Sequence, residues 1–215
     1  MVEGSVISAP VIDWGVASRP MPGEAVCGDV HLVKSIRDGV LAAVVDGLGH
    51  GHEAWEAAST AIDVLASYEE EPLEALVKHC HEALRRTRGA VMAVATLGSS
   101  EDQLNWVGVG TVEVILIRAG QKTEFHSDRA LVRGGIVGYR LPALRVGTLP
   151  LLPDDLLILA TNGVDAGLAQ GMWRGDSPQR LADRILERHF KGRDDGLALV
   201  VRYLGAQRGE SSAGG

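Results

Sequence analysis

The sequence predicts a layered α+β fold, with two sheets packed face to face and helices outside. Three observations lead to it. Short apolar or alternating runs, broken by glycine-rich turns, read as strands along most of the chain. Two adjacent segments in the first half, and one near the end, instead repeat apolar residues at helical spacing. Helices grouped in sequence between sets of strands belong to layered α+β architectures.

In chain order, residues 1–10 read as a loose lead-in and 11–17 as a strand, and Arg19-Pro20-Met21-Pro22-Gly23 is a clear break. A short apolar stretch, 30–33, follows Cys27-Gly28-Asp29. Arg37-Asp38-Gly39 then reads as a hairpin turn into 41–45, whose small and β-branched residues mark a buried strand. Residues 53–68 place Ala54, Ala57, Ala58, Ala61, Ile62 and Leu65 at amphipathic-helix spacing. Pro72 opens a second helix to about residue 86, with Leu73, Leu76, Val77, Cys80 and Leu84 on one face. The stretches 90–97, 103–109, 112–118 and 122–126 follow, separated by Gly98-Ser99-Ser100, Gly110 and Ala119-Gly120. Together they have the pattern of an antiparallel meander. Residues 156–160 form another buried strand, 178–190 a helix with Leu181, Ile185 and Leu186 inward, and 197–204 a closing strand. A single domain is expected over 1–204, with 205–215 a polar, Gly/Ser-rich disordered tail.

Composition narrows the function classes. A chain of 215 residues is long enough to bury a proper core, and its 46% hydrophobic and 23% charged content is ordinary for a globular protein. Aromatics make up only 4%, so Val, Leu, Ile and Ala must build the core. A net charge of -7, with no Lys/Arg-rich run, argues against a nucleic-acid partner. No apolar run reaches the length of a membrane span, and the N-terminus lacks a basic segment followed by an apolar one. Cys27 and Cys80 form no Cys-x-x-Cys pair, so a cytoplasmic setting is expected.

The chemistry concentrates where apolar stretches end. Residues 41–54 read LAAVVDGLGHGHEA: a buried strand ends in Asp46, and Gly47, Gly49 and Gly51 follow at alternate positions. A carboxylate at the mouth of such a turn is placed to hold a hard cation. The same character recurs at Gly28-Asp29, at Asn162-Gly163 and at Asp194-Asp195-Gly196. Taken singly these dipeptides are ordinary turns. Together they make a cluster of side-chain oxygens at sheet edges, which suits Mg²⁺ or Mn²⁺.

Cys27-Gly28-Asp29, Val45-Asp46-Gly47-Leu48-Gly49-His50-Gly51, Ala160-Thr161-Asn162-Gly163-Val164 and Arg193-Asp194-Asp195 resemble, in order, the motifs of metal-dependent type 2C protein phosphatases. The pattern is similar to the bacterial SpoIIE-like branch. Within that branch, Arg88-Gly89-Ala90 and Val107-Gly108-Val109-Gly110 resemble the RsbX-type phosphatases of the stressosome. The likeness spans roughly residues 28–201. It implies a four-layer α-β-β-α sandwich of two antiparallel sheets with a two-metal centre at one edge. By position, Asp46 would bridge both metals and the Gly47 carbonyl would join one of them. Asp194 would ligate the other metal, and Asp29 would bind directly or through water. Asp195, the second member of its pair, is a further metal-ligand candidate, although the first member is the usual ligand. Asp46 and Asp29 are the catalytic candidates. The implied activity is Mn²⁺/Mg²⁺-dependent hydrolysis of phosphoserine or phosphothreonine by a metal-bridging hydroxide. The implied partners are phosphorylated STAS-domain proteins of a stressosome, whose stress signal the enzyme would reset.

Two departures from the pattern matter. Asn162 stands where the family commonly has Asp; its carbonyl oxygen remains a ligand but brings no charge, which implies a weaker metal site. Leu48 stands where many members carry a His that protonates the leaving oxygen. Both departures motivate a second reading, a pseudophosphatase that docks on a phosphoprotein without turning it over. An aspartyl-phosphate enzyme fits poorly, because Leu48 occupies the second position of its Asp-x-Asp motif. His50 and His52 are candidate general acids, but a turn residue and a solvent-facing helix-start residue are the expected roles. Cys27 reads as a packing residue rather than a redox group. Arg133, Arg140 and Lys34 are weak candidates for phosphate binding, and Trp14, Trp55, Trp106 and Trp173 read as packing residues.

Overall fold

The computed structural model of the chain describes residues 12–98, 101–119, 125–126, 132–165 and 175–205. The strands are β1 (Ile12–Arg19), β2 (Asp29–Ile36), β3 (Gly39–Gly47), β4 (Ala90–Gly98), β5 (Gln103–Val109), β6 (Glu113–Ile117), β7 (Phe125–His126), β8 (Val132–Arg133), β9 (Gly147–Pro150), β10 (Leu156–Ala160) and β11 (Gly196–Tyr203). The helices are α1 (Gly51–Ala66), α2 (Leu73–Ala83) and α3 (Pro178–His189), and a 3-10 turn, Leu84–Arg86, extends α2. One sheet runs β1-β11-β10-β6-β7. The other runs β2-β3-β4-β5-β8, with β9 also paired to β5. The pairs are antiparallel except the short β5–β8 contact.

Strand periodicity distributes the core into three layers. Successive side chains of a strand point to opposite faces. On β3, Leu41, Ala43 and Val45 therefore pack under α1 and α2, while Ala42 and Val44 enter the space between the sheets. Every residue of β3 is buried, because both of its faces are covered. The middle layer joins Val91, Ala93 and Trp106 to Leu157, Leu199 and Tyr203 of the opposite sheet. The third layer lies under α3, where Leu181, Ile185 and Leu186 meet Ile158, Ala198 and Val200. The result is the expected α-β-β-α sandwich. Full burial of a side chain such as Leu65 or Ile185 stabilises by about 1.5–3 kcal/mol.

Helices α2 and α3 start where the sequence signals place them, and α1 starts at Gly51, two residues before the expected 53. Pro72 sits immediately before α2. At α3, Ser177 accepts a hydrogen bond from the Arg180 amide and Pro178 occupies the first turn. The predicted meander is corrected. β4 and β5 pair in one sheet, but the chain crosses at Gly110 and β6 joins the other sheet beside β10. Strand β9 was not anticipated, since Gly147-Thr148-Leu149-Pro150 is short and ends in proline. The tryptophans divide: Trp106 is buried, whereas Trp14 and Trp55 are 43% and 40% exposed. Trp14 lies 5.8 Å from the His31 ring, and Trp55 stacks on His52. Trp173, the lead-in 1–10 and most of the polar tail lie outside the described residues.

Candidate metal centre

Four element ends meet at one edge of the sandwich. In the β2–β3 hairpin, Asp29 at the start of β2 is paired directly with Asp46 near the end of β3. Asp46 follows Val44 by two residues and so shares its face, toward the opposite sheet. From that sheet come Thr161 and Asn162, just beyond β10, and Asp194 and Asp195, just before β11. The Thr161 amide donates to the Leu197 carbonyl at 3.0 Å, which holds the end of β10 against the start of β11.

Asp29 and Asp46 are 6% and 5% exposed. Burial, opposed by the Thr161 hydrogen bond and reinforced by Asp195 and Asp194, raises the Asp29 pKa to about 7. Burial together with the charges of Asp29, Asp194 and Asp195 raises Asp46 to about 8. Among the described residues none of these four carboxylates is ion-paired with Lys, Arg or His. Buried carboxylates facing one another without a cation are costly, and a dication is the counter-charge that relieves the repulsion.

The chemistry of the donors fits such an ion. Hard oxygen ligands are what Mg²⁺ and Mn²⁺ take, with water completing the shell. Among the described residues no three His, Cys, Asp or Glu side chains are gathered closely enough to hold an ion by themselves, so carbonyl oxygens and water would supply much of the shell. Asp46, Asp29, Asp194, the Gly47 carbonyl and the Asn162 side chain are the oxygens that could serve at this edge.

Close backbone approach explains the glycines. A Cβ on Gly47 would sit 1.9 Å from the Ala54 carbonyl oxygen of α1, and one on Gly163 would sit 1.8 Å from the Asp195 carbonyl oxygen. The Gly47 amide donates to the Gly28 carbonyl at 3.2 Å, and the Leu48 amide donates to the Gly89 carbonyl at 3.0 Å. Together these bonds hold the β3–α1 turn against the segment entering β2 and the one entering β4.

Each remaining candidate has a definite place. Asp195 is buried, and its two carboxylate oxygens accept from the Met21 amide at 2.8 Å and the Gly28 amide at 2.9 Å. Its bonds secure the segment leading into β2. Asp194 accepts from the Asp195 amide at 3.0 Å. The Asn162 side-chain amide donates to the Thr111 hydroxyl at 3.5 Å, and the Asn162 backbone carbonyl accepts from Lys191 Nζ at 2.6 Å. His50 precedes α1 and its Nδ1 lies 2.6 Å from Glu24, while His52 pairs with Glu56 one turn along the same helix. Lys34 donates to the Ala66 and Tyr68 carbonyls at 2.5 and 3.2 Å, so its ammonium closes the end of α1 and does not serve a phosphate. Burial pushes the Cys27 thiol up to about 12, which removes thiolate redox chemistry there.

Thr161 is the residue the sequence reading passed over. Its hydroxyl donates to Asp29 at 2.7 Å and accepts from the Leu197 amide at 2.8 Å, tying the two sheets together at the site. Its place inside the Ala160–Gly163 motif was the available signal.

Two antiparallel sheets flanked by helices match the fold of the type 2C phosphatases. Residues 37–210 match the family described as Stage II sporulation protein E, and the chain belongs to this SpoIIE family of type 2C phosphatase domains. It is 31% identical over 183 residues to the phosphoserine phosphatase RsbX of Bacillus subtilis (strain 168), covering 85% of this chain and 89% of that protein. Among solved structures it is similar to a chain from a study of the bacterial stressosome, with a TM-score of 0.80 and 30% identity over 89% of this chain and 100% of that one. The fold also matches RsbX in complex with magnesium, with a TM-score of 0.77 and 21% identity over 89% of this chain and 95% of that one. A further match is the catalytic domain of the serine/threonine phosphatase PstP in complex with two manganese ions. Its TM-score is 0.67, with 17% identity over 90% of this chain and 99% of that one.

Proposed function

We propose that this chain is a Mn²⁺/Mg²⁺-dependent serine/threonine phosphoprotein phosphatase that acts on phosphorylated STAS-domain proteins of a stressosome. One observation carries the reading: Asp29 and Asp46 face each other across β2 and β3, buried and without a basic partner among the described residues. Family membership and the likeness to RsbX support the phosphatase chemistry and the stressosome setting.

Asp46, the Gly47 carbonyl, Asp194, Asp29 and the Asn162 oxygen would hold the metals. Bound divalent ions acidify water for attack on phosphorus and neutralise charge on the phosphoryl group. The protein's own groups prepare that site. Thr161 donates to one oxygen of Asp29 and leaves the other for a ligand role. Asp195 secures the segment before β2 through two backbone amides, which makes it a positioning residue in this reading. Leu48 supplies no imidazole directly after Asp46-Gly47, and His50, two residues on, is turned to Glu24, so in this reading the leaving oxygen would take its proton from water. The phosphatase unit is assigned to residues 1–204 and its setting to the cytoplasm. No helix among the described residues is long and apolar enough to cross a membrane.

Asn162 favours one alternative. Its side-chain amide donates to Thr111 and brings no negative charge, as in a phosphoprotein-binding module with weak or no turnover. A chromogenic phosphate ester separates the readings. The phosphatase releases product with Mn²⁺ and stops with EDTA, while a binding module gives no metal-dependent release.

A further inference from the structure

Against a net charge of -7, one surface of the molecule gathers arginines. The 3-10 turn after α2 exposes Arg85 and Arg86, Arg88 follows two residues later, and the segment between β8 and β9 brings Arg140. Backbone contacts make these a single surface. The Gly138 amide donates to His81 Nδ1 at 2.9 Å, and a Cβ on Gly138 would touch the Leu84 carbonyl oxygen at 2.9 Å. Ala90 and Val137 exchange amide–carbonyl hydrogen bonds of 3.0 and 2.8 Å, and Ile136 and Arg140 close a tight turn. That turn presents Tyr139 with 81% of its surface exposed. Beside it opens a cleft of about 680 Å³, lined by Gly135, Ile136, Tyr139, Arg140 and Pro142 among others.

The surface leads toward the candidate metal centre. Arg88 pairs with Glu53 of α1, and its Nη1 lies where a Cβ on Gly49 would be 2.5 Å away. Gly49 lies in the turn that follows Asp46 and Gly47. Arg85 is paired with Glu82, but Arg86 and Arg140 have no carboxylate partner among the described residues. An exposed aromatic next to one arginine, on a turn packed against the segment that carries a second, is suited to bind an acidic chain segment when neither arginine has an intramolecular partner.

We infer that Arg86, Tyr139 and Arg140 form a docking surface for the acidic protein segment that flanks the substrate's phosphorylated residue. Arg86 and Arg140 would take its carboxylates and Tyr139 would pack against its backbone. The inference rests on the phosphatase reading for the identity of the substrate, and binding can be measured without turnover.

The test uses two phosphoserine peptides that differ only in flanking residues, three Glu in one and three Lys in the other. Their affinities for the Asp46→Asn chain are read by fluorescence anisotropy, and kcat/KM is read on the wild type with Mn²⁺. The Glu peptide is expected to bind roughly tenfold more tightly, with a preference that shrinks as NaCl rises. Arg86→Glu with Arg140→Glu should abolish or invert the preference, and Arg86→Gln with Arg140→Gln should reduce it. Equal binding of the two peptides, or a preference that survives both double variants, would overturn the docking surface. So would an arginine-dependent dimer in sedimentation with no peptide preference, since the occupant would then be a second copy of the chain. Preference in binding without Mn²⁺-dependent turnover would uphold the surface and remove the phosphatase reading. Turnover without preference would do the reverse.

Discussion

Thr161 donates to Asp29 and accepts from the Leu197 amide, so one hydroxyl holds a candidate ligand and closes a buried backbone donor. Thr161→Val should weaken Mn²⁺ binding roughly 10–100-fold, the usual cost of losing an outer partner of a metal ligand. It should also destabilise the fold by about 1–3 kcal/mol, because the Leu197 N–H is left unsatisfied. Thr161→Ser should restore both, and isothermal calorimetry with parallel denaturant unfolding reads the two effects. Asn162 carries the opposite expectation. Asn162→Asp adds a negative charge among the site's oxygens and should tighten Mn²⁺ in the same titration. Equal affinity in the two chains would remove Asn162 from the ligand set.

At the scale of elements, the β3–α1 turn depends on Gly47, where the backbone of α1 lies too close for a Cβ. Gly47→Ala should cost at least about 1–3 kcal/mol, as overpacking does, and thermal unfolding would report it. A substitution with no loss would mean that α1 can move away. The helices and most strands were legible in the sequence because their signals are local. Ala54, Ala57, Ala58, Ala61 and Leu65 face the core as their spacing predicts, and so do Leu73, Leu76, Val77 and Cys80. Strand order is not local, so a pattern of short strands could not tell that β6 leaves β5 for the opposite sheet. Exposure of Trp14 and Trp55 was hidden for a similar reason, since it depends on what covers each face. The motif residues Asp29 and Asp46 were legible, and their pairing follows from the hairpin register. The Asp195 bonds to Met21 and Gly28 cross more than 160 residues of sequence, and no local pattern carries them.

For the whole molecule, the buried carboxylates link stability to pH. Asp29 and Asp46 have folded pKa values of about 7 and about 8, both raised from 3.8. The fold therefore binds their protons more tightly than the unfolded chain does. Their contribution is complete below about pH 4 and is lost as pH rises through about 7 to 8. The chelated protein should accordingly show a Tm that falls from about pH 5 to about pH 8, and Mn²⁺ at pH 8 should recover it. A flat or rising profile without metal would mean that other groups dominate at this edge. The same carboxylates carry the functional claim, and Asp46 is the residue on which it turns. The most direct measurement is phosphate release from a phosphoserine protein by the wild type and by Asp46→Asn, each with Mn²⁺ and with EDTA. The account predicts Mn²⁺-dependent release by the wild type and none above background by the variant. Undiminished Mn²⁺-dependent release by Asp46→Asn would contradict it.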